Sequence, residues 1–201
     1  MKNFSNSKNY KNAQVYSGNG GQIPVGGYVC KIMDVKYATY DWGDRIEMAF
    51  DIDDGEYAGF FKKKYDADQS EDKKWKGVFR LNVPKDDGSE QDGWTMSKFK
   101  TTMDNFERSN SGFTWDWDES KLKGKKIGII FRTRHTTING RSVTFSEANR
   151  SAAVEDIESG NYKIPDDYYD NKYQGESANS GSSNGDDFMG IDHGAPEEIP
   201  F

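Results

Sequence analysis

An alternation of apolar and polar residues over residues 45–53 constrains the fold more than any other stretch. Apolar side chains share one face of this run, at Ile46, Met48, Phe50 and Ile52. A period of two is typical of a half-buried β-strand, because successive side chains of a strand point to opposite faces. The run therefore predicts a strand whose other face, away from the core, carries Arg45, Glu47, Asp51 and Asp53.

Neighbouring segments extend this strand into a sheet. Residues 28–37 and 75–83 are rich in β-branched and aromatic side chains and predict two more strands. The Asp54-Gly55 pair predicts a hairpin turn into a further strand over 57–65. Nearer the C-terminus, residues 125–134 predict a strand, with Ile127, Ile129 and Phe131 on its core side. The Asn139-Gly140 pair predicts a closing hairpin with a return strand over 141–145.

One helix is predicted, over residues 95–108. Its inward positions recur at helical spacing, at Phe99, Thr102, Met103 and Phe106, and Thr95 or Ser97 can cap its start. The order strand, hairpin, strand, helix and closing hairpin predicts a mainly β protein with an OB-fold barrel of five strands plus one helix. A β-sandwich of similar length would show much the same pattern.

Composition and charge divide the chain into four parts. Only 33% of the residues are hydrophobic and 30% are charged, which predicts that part of the chain is unfolded. Residues 175–201 carry −6 and residues 155–174 carry −4, which leaves +3 on residues 1–154 out of a total of −7. We predict a flexible arm over 1–22, an OB-fold domain over 23–154, an acidic extension over 155–174 with at most a short turn of structure, and a disordered linker and acidic tail over 175–201.

The single cysteine, Cys30, excludes an intrachain disulfide framework and favours a reducing compartment. No stretch approaches the ~18 consecutive apolar residues of a membrane span, and the N-terminus lacks the apolar core of a signal peptide. We therefore expect a soluble, cytoplasmic protein.

Catalytic signals are few. His135 and His193 lie far apart in the sequence and give no zinc spacing with Cys30. Acidic runs at 51–54 and 115–119 hold the clustered carboxylates that a magnesium nuclease needs, but adjacent acids on a strand point to opposite faces. We predict no enzyme activity, no cofactor and no metal site, and keep a magnesium-dependent nuclease as the less favoured alternative.

Basic and aromatic residues are interleaved across several predicted strands. Sequence-independent binding of single strands needs cations along the phosphates and flat rings on which bases stack, worth roughly 1–3 kcal/mol per base. Arg132 and Arg134 are expected to face outward, opposite the core face of their strand. The predicted nucleic-acid-binding surface consists of Tyr37, Trp42, Phe61, Lys62, Lys63, Lys64, Tyr65, Lys74, Trp75, Lys76, Phe79, Arg80, Arg132, Arg134 and Arg141, with Tyr40 as a further ring.

The last sixteen residues are acidic yet end in Ile-Pro-Phe. Solvated tails usually carry few apolar residues, so the pattern indicates a tethered peptide that docks on a partner through Asp186, Asp187, Asp192, Glu197, Glu198, Ile199, Pro200 and Phe201. The segment resembles the C-terminal tip of bacterial single-stranded DNA-binding proteins. That resemblance implies that Phe201 enters an apolar pocket rimmed by basic residues on the partner.

Residues 25–32 and 60–65 are similar to phage-encoded single-stranded DNA-binding proteins of Gram-positive hosts, although the Gly-Arg-Leu of the bacterial opening strand is missing. The resemblance implies sequence-independent binding of single-stranded DNA in replication, recombination and repair, in the host cytoplasm. It also implies recruitment of a helicase, primase, polymerase or recombinase through the tail. No heptad pattern indicates the oligomeric state, so a homo-oligomer stays open.

A carbohydrate- or protein-binding β-sandwich module is the other alternative. It would use Trp75, Trp94, Trp115 and Trp117 as flat platforms. Such a module gives no reason for the interleaved Lys and Arg residues or for the terminal Ile-Pro-Phe.

Overall fold

A computed structural model of the chain describes residues 21–173. The elements are β1 Gly26–Tyr40, β2 Gly43–Ile52, α1 Phe60–Ala67, β3 Val78–Asn82, α2 Glu90–Ser109, a 3-10 helix Glu119–Leu122, β4 Lys126–Ile138, β5 Arg141–Ala152, α3 Val154–Glu158 and β6 Tyr168–Tyr169. The predicted tail beyond residue 174 and almost all of the predicted arm lie outside the described residues. Within the described part, no helix is both long and apolar enough to span a membrane.

All six strands belong to one sheet, so the protein is mainly β as predicted. The strand order is β3-β2-β1-β4-β5, with antiparallel neighbours, and β6 adds a short parallel pair to β4. The predicted five-stranded barrel is not closed: β3 and β5 contact each other, but no backbone ladder joins them in the described part. The correct part of the prediction is therefore the strand-rich fold and the place of its long helix between β3 and β4.

The core lies on one face of the sheet, beneath α2. Its largest fully buried side chains come from β1, β2, β4, α2 and the 3-10 helix: Phe50, Phe106, Phe131, Ile32, Met48, Leu122, Ile127 and Ile129. The alternation over 45–53 and the core side of residues 125–134 were thus predicted correctly. Burial raises the pKa of the Cys30 thiol, which stays protonated inside this core.

The second face of β2 is not solvated, contrary to the prediction. Glu47 is 1% exposed and Asp51 is 8% exposed, although both belong to the polar half of the alternating pattern. Buried carboxylates need partners, and each of these two has several. The period of two gave the strand correctly, but it could not show that other side chains and a helix cover its charged face.

The predicted strand over 57–65 is wrong, because this segment forms α1. Gly59 precedes the helix without a side-chain cap, and the carboxylate of Asp51 takes that role from β2. It accepts the backbone N–H groups of Phe61 and Lys62, both at 3.0 Å. Free N–H groups at a helix start are satisfied by such acceptors, so a long-range contact fixes a helix that local sequence does not signal.

Helix α2 begins earlier than predicted. Ser89, rather than Thr95 or Ser97, caps it, because its side chain accepts the N–H of Asp92. Asp92 is itself buried and accepts the backbone N–H of Lys85 at 2.7 Å. The helical periodicity of the predicted segment was correct, whereas the polar first turn carried no apolar signal.

The closing hairpin was predicted correctly and is longer than expected. Asn139 and Gly140 have φ values of 50° and 74°, the left-handed pair that a two-residue hairpin turn requires. β4 and β5 pair from this turn back to Gly128 and Ala152.

The acidic extension contains more structure than predicted. It holds α3 and β6, and its Ile157 and Tyr162 pack over β1 and β4. A Cβ atom added at Gly27 would lie 2.6 Å from Ile157 and 2.8 Å from Tyr162, and one added at Gly128 would also collide with Ile157. The two glycines therefore allow this segment to lie directly on the sheet.

Candidate nucleic-acid interface

The turn between β1 and β2 presents two parallel rings and a cation. Tyr40 and Trp42 stack with ring centroids 5.0 Å apart and planes 7° apart. The guanidinium of Arg45 lies 4.7 Å from the Tyr40 centroid and 5.1 Å from that of Trp42. Such cation–π contacts hold a flat aromatic pair in place.

Glu47 anchors this group from below. Its Oε1 accepts hydrogen bonds from the Tyr40 hydroxyl at 2.9 Å and from Nε of Arg45 at 3.1 Å, and Nε of Arg80 lies 3.8 Å away. Glu47 on β2 pairs directly with Arg80 on β3. One buried carboxylate thus orients two arginines and a phenol; we call Tyr40, Trp42, Arg45, Glu47 and Arg80 the hairpin patch.

Sequence reasoning found only part of the hairpin patch. Trp42 and Arg80 were predicted site residues, and Tyr40 was named as a further ring, but Arg45 and Glu47 were placed only as charged strand positions. The missed signal is the alternation itself, since Arg45 and Glu47 point to the same face as Tyr40 across the β1–β2 pairing. Tyr37 lies on the other face, is 44% exposed, and donates its hydroxyl to Asp44 at 2.7 Å.

A second group of rings and cations lies at α1 and the segment after it. Tyr65 and Trp75 have centroids 5.7 Å apart, and Nζ of Lys73 lies 4.5 Å from the Tyr65 centroid. The Trp75 indole donates to the backbone carbonyls of Phe50 and Gly77, which fixes its orientation. We call Tyr65, Lys73 and Trp75 the α1 patch.

The predicted lysines surround the α1 patch but are not equally placed. Lys62 pairs with Asp66 at 2.8 Å, Lys63 donates to the carbonyl of Ala58, and Lys74 lies 3.7 Å from Asp72. Nζ of Lys64 lies over the ring of Phe60 at 5.3 Å. Lys76 is exposed. The surface ion pairs of Lys62 and Lys74 contribute little stability, so these two ammonium groups can still reach an anion.

Both patches are attached to β2, the second through the hydrogen bond from the Trp75 indole to the Phe50 carbonyl. Glu47 anchors the hairpin patch and Asp51 caps α1, and the two lie four positions apart on the same face of β2. At about 3.4 Å per strand residue this corresponds to about 14 Å. Like Tyr37, the predicted rings Phe61 and Phe79 join neither patch: they are 8% and 4% exposed and belong to the core, so neither offers a free ring face.

The three predicted arginines of the closing hairpin are divided between two places. Arg141 is exposed at the turn. Arg132 and Arg134 both bind Glu147, at 2.9 Å and 3.3 Å, and lie beneath the ring of Tyr168. The expectation that Arg132 faces solvent is wrong, because it is only 9% exposed.

The acidic runs are used within the fold. Asp51 caps α1, and Asp116 and Asp118 both pair with Lys121. Within residues 21–173, no group of three or more His, Cys, Asp or Glu side chains could hold a metal ion.

The proposed tryptophan platform is divided in the same way. Trp115 and Trp117 lie together against Phe99, whereas Trp75 lies against Tyr65.

The predicted partner-binding residues from Asp186 to Phe201 lie outside the described residues. Comparison of the chain with protein-family models and with curated proteins found no match.

Proposed function

We propose that the protein binds single-stranded DNA without strong sequence preference and acts in replication or recombination. The observation that carries the proposal is the stacked Tyr40–Trp42 pair with Arg45 held over both rings. Bases stack on such rings whatever their identity, and a guanidinium beside them can bind the phosphate.

The position of this pair supports the proposal. Partly open five-stranded OB folds bind oligonucleotides on the face of strands 2 and 3, between the loops that join strands 1 to 2 and 4 to 5. We assign the sheet to this fold, with the seam between β3 and β5 left unpaired. The hairpin patch then occupies the first loop and the face of strands 2 and 3, and Arg141 lies at the second loop.

The charge distribution agrees with an anionic ligand. The body carries a net positive charge while the acids are concentrated beyond residue 154. The α1 patch and its lysines lie farther along β2, so a strand leaving the hairpin patch would meet a second pair of rings. Binding that combines stacking with several phosphate contacts is strongly salt-dependent.

We further propose that residues 186–201 recruit replication or recombination proteins. The proposal depends on the Glu197-Glu198-Ile199-Pro200-Phe201 sequence and its resemblance to bacterial single-stranded DNA-binding proteins. The acids would draw the segment to a basic surface, and Phe201 would fill an apolar pocket there.

The test is titration of the full chain with fluorescein-labelled oligo-dT at several salt concentrations. The quenching of Trp fluorescence during the titration reports binding. We expect binding with quenched Trp emission and a steep loss of affinity as salt rises. No binding at low salt would refute the proposal. Cleavage of the oligonucleotide on addition of magnesium would favour the nuclease, and binding of sugars instead of DNA would favour the carbohydrate module.

A further inference from the structure

Residues 167–173 lie across β4, and we call them the strap. Its strand β6 pairs with β4 at only two positions, Arg134 with Tyr168 and His135 with Tyr169. The backbone N–H of Asp170 adds a hydrogen bond to the carbonyl of His135. The strap is thus the part of the acidic extension that covers the predicted arginines.

Two carboxylates of the strap contact side-chain nitrogen atoms of β4. Asp170 Oδ2 accepts a hydrogen bond from Nη2 of Arg134 at 3.0 Å, and Asp167 Oδ2 lies 3.2 Å from Nε2 of His135. Phosphate oxygens make the same contacts with guanidinium and imidazole groups.

The rings of the strap lie on the same β4 side chains. Tyr168 lies over the guanidinium of Arg132 at 4.4 Å and over that of Arg134 at 5.5 Å. Tyr169 stacks on His135 with centroids 4.3 Å apart and planes 9° apart. Nucleobases stack on guanidinium and imidazole planes in this manner. The strap therefore places carboxylates and rings where a single strand would place phosphates and bases.

We propose that Arg132, Arg134 and His135 form a further stretch of the single-strand binding track, which the strap occupies until DNA displaces it. The inference rests on the proposed function and extends it to a site that the chain itself covers. Glu147 binds both arginines from β5 and would keep them oriented after the strap leaves.

Two features favour displacement of the strap without unfolding. Its pairing with β4 is only two residues long, whereas the preceding segment is held separately by Ile157 and Tyr162 on Gly27 and Gly128.

In addition, Nε of Arg134 is buried with no hydrogen-bond partner in the described part of the chain. A phosphate has a free oxygen for that donor, and buried unsatisfied donors are costly.

The first test locks the strap in the full chain with a His135→Cys/Tyr169→Cys pair, whose parent side chains stack on each other. Native Cys30 is fully buried and does not compete. We expect the oxidised form to bind oligo-dT at least threefold more weakly than the same protein after reduction. Loss of two arginine–phosphate contacts should also make the slope of log affinity against log salt shallower by about 1.4.

The second test removes the occupant rings with Tyr168→Ala/Tyr169→Ala, which should bind oligo-dT more tightly than the parent chain. It decides the matter where the crosslink does not form. Equal affinity of the oxidised and reduced forms, or unchanged or weaker binding by the folded double alanine variant, would overturn the inference. These results differ from failure of the proposed function, in which the parent chain itself would not bind oligo-dT.

Discussion

The carboxylate of Asp51, the second-to-last residue of β2, caps α1 by accepting the N–H of Phe61 at 3.0 Å. It also accepts the N–H groups of Lys62 and Ile52. A single buried side chain therefore satisfies three backbone donors and joins α1 to the sheet.

We expect Asp51→Ala to lower the free energy of unfolding by about 2–3 kcal/mol, because it leaves buried N–H groups without an acceptor. Urea unfolding followed by circular dichroism measures this. Asp54→Ala is the matched control, since Asp54 is exposed and should change stability by less than about 0.5 kcal/mol. Equal effects of the two substitutions would contradict the capping role.

Trp42→Ala should weaken oligo-dT binding roughly tenfold or more, because one stacked base is worth roughly 1–3 kcal/mol. Trp94→Ala is the matched control: Trp94 is 47% exposed on α2 and belongs to neither patch. Both affinities are measured by fluorescence anisotropy. If Trp94→Ala weakened binding and Trp42→Ala did not, the interface would lie elsewhere.

Glu47→Gln separates orientation of the hairpin patch from its net charge. Removing the anion makes the surface more positive, which alone would strengthen DNA binding. We nevertheless expect weaker binding, by about threefold or more, because Arg45 and Arg80 lose the carboxylate that aims them. Glu71→Gln, at an exposed acid, gives the effect of charge alone in the same anisotropy assay. Tighter binding by Glu47→Gln would show that the carboxylate has no orienting role.

The contribution of Asp170 in the strap to the free energy of unfolding should be lost at acidic pH. Burial opposes ionisation of Asp170, but hydrogen bonds from Thr136, Arg134 and the N–H of Lys172 outweigh it and hold the pKa of this carboxyl below its ordinary value of 3.8. A lowered pKa means that the folded state favours the ionised form, so its stabilisation is present above about pH 4 and is lost as pH falls below it. Unfolding free energy measured from pH 6 to pH 2.5 should fall in this window, and Asp170→Asn should remove part of the dependence. An identical profile in both proteins would contradict the assignment.

Phe201→Ala should leave oligo-dT affinity unchanged and weaken the binding of replication or recombination proteins to the DNA-bound protein. Co-sedimentation of purified helicase, primase, polymerase or recombinase on oligonucleotide beads measures the second effect. Reduced oligo-dT affinity of the variant would mean that Phe201 contributes to the DNA interface.

Local patterns were sufficient to predict the strands at 28–37, 45–53 and 125–134, the closing hairpin and the long helix, because each has its own periodicity or turn residues. The helix at 60–67 could not be predicted in this way. Its start depends on Asp51, and its Lys-Lys-Lys-Tyr run has no distinct period. β6 could not be predicted either, because Tyr168 and Tyr169 form a strand only through their pairing with Arg134 and His135 of β4.

The candidate site shows the same division. Rings and cations could be recognised as types, but which of them share a surface depends on pairing across strands. Arg45 joins Trp42 through the β1–β2 turn, whereas Phe61 and Phe79 turn into the core. The side chain of Arg132 was expected to be exposed to solvent. It lies under the ring of Tyr168 instead, because the acidic extension folds back on the sheet.

Because Ile157 and Tyr162 pack directly on Gly27 and Gly128, the folded domain extends beyond residue 154. Cutting the chain after residue 154, where the charge pattern changes sign, would remove Ile157 and Tyr162 and leave a strip of sheet without side chains to shield it from water. A shortened version for crystallisation or for fusion to a reporter should therefore keep the chain through Tyr173. Alanine at Gly27 would loosen the extension without changing any of its residues, because the nearest atoms to the added Cβ belong to the side chains of Ile157 and Tyr162.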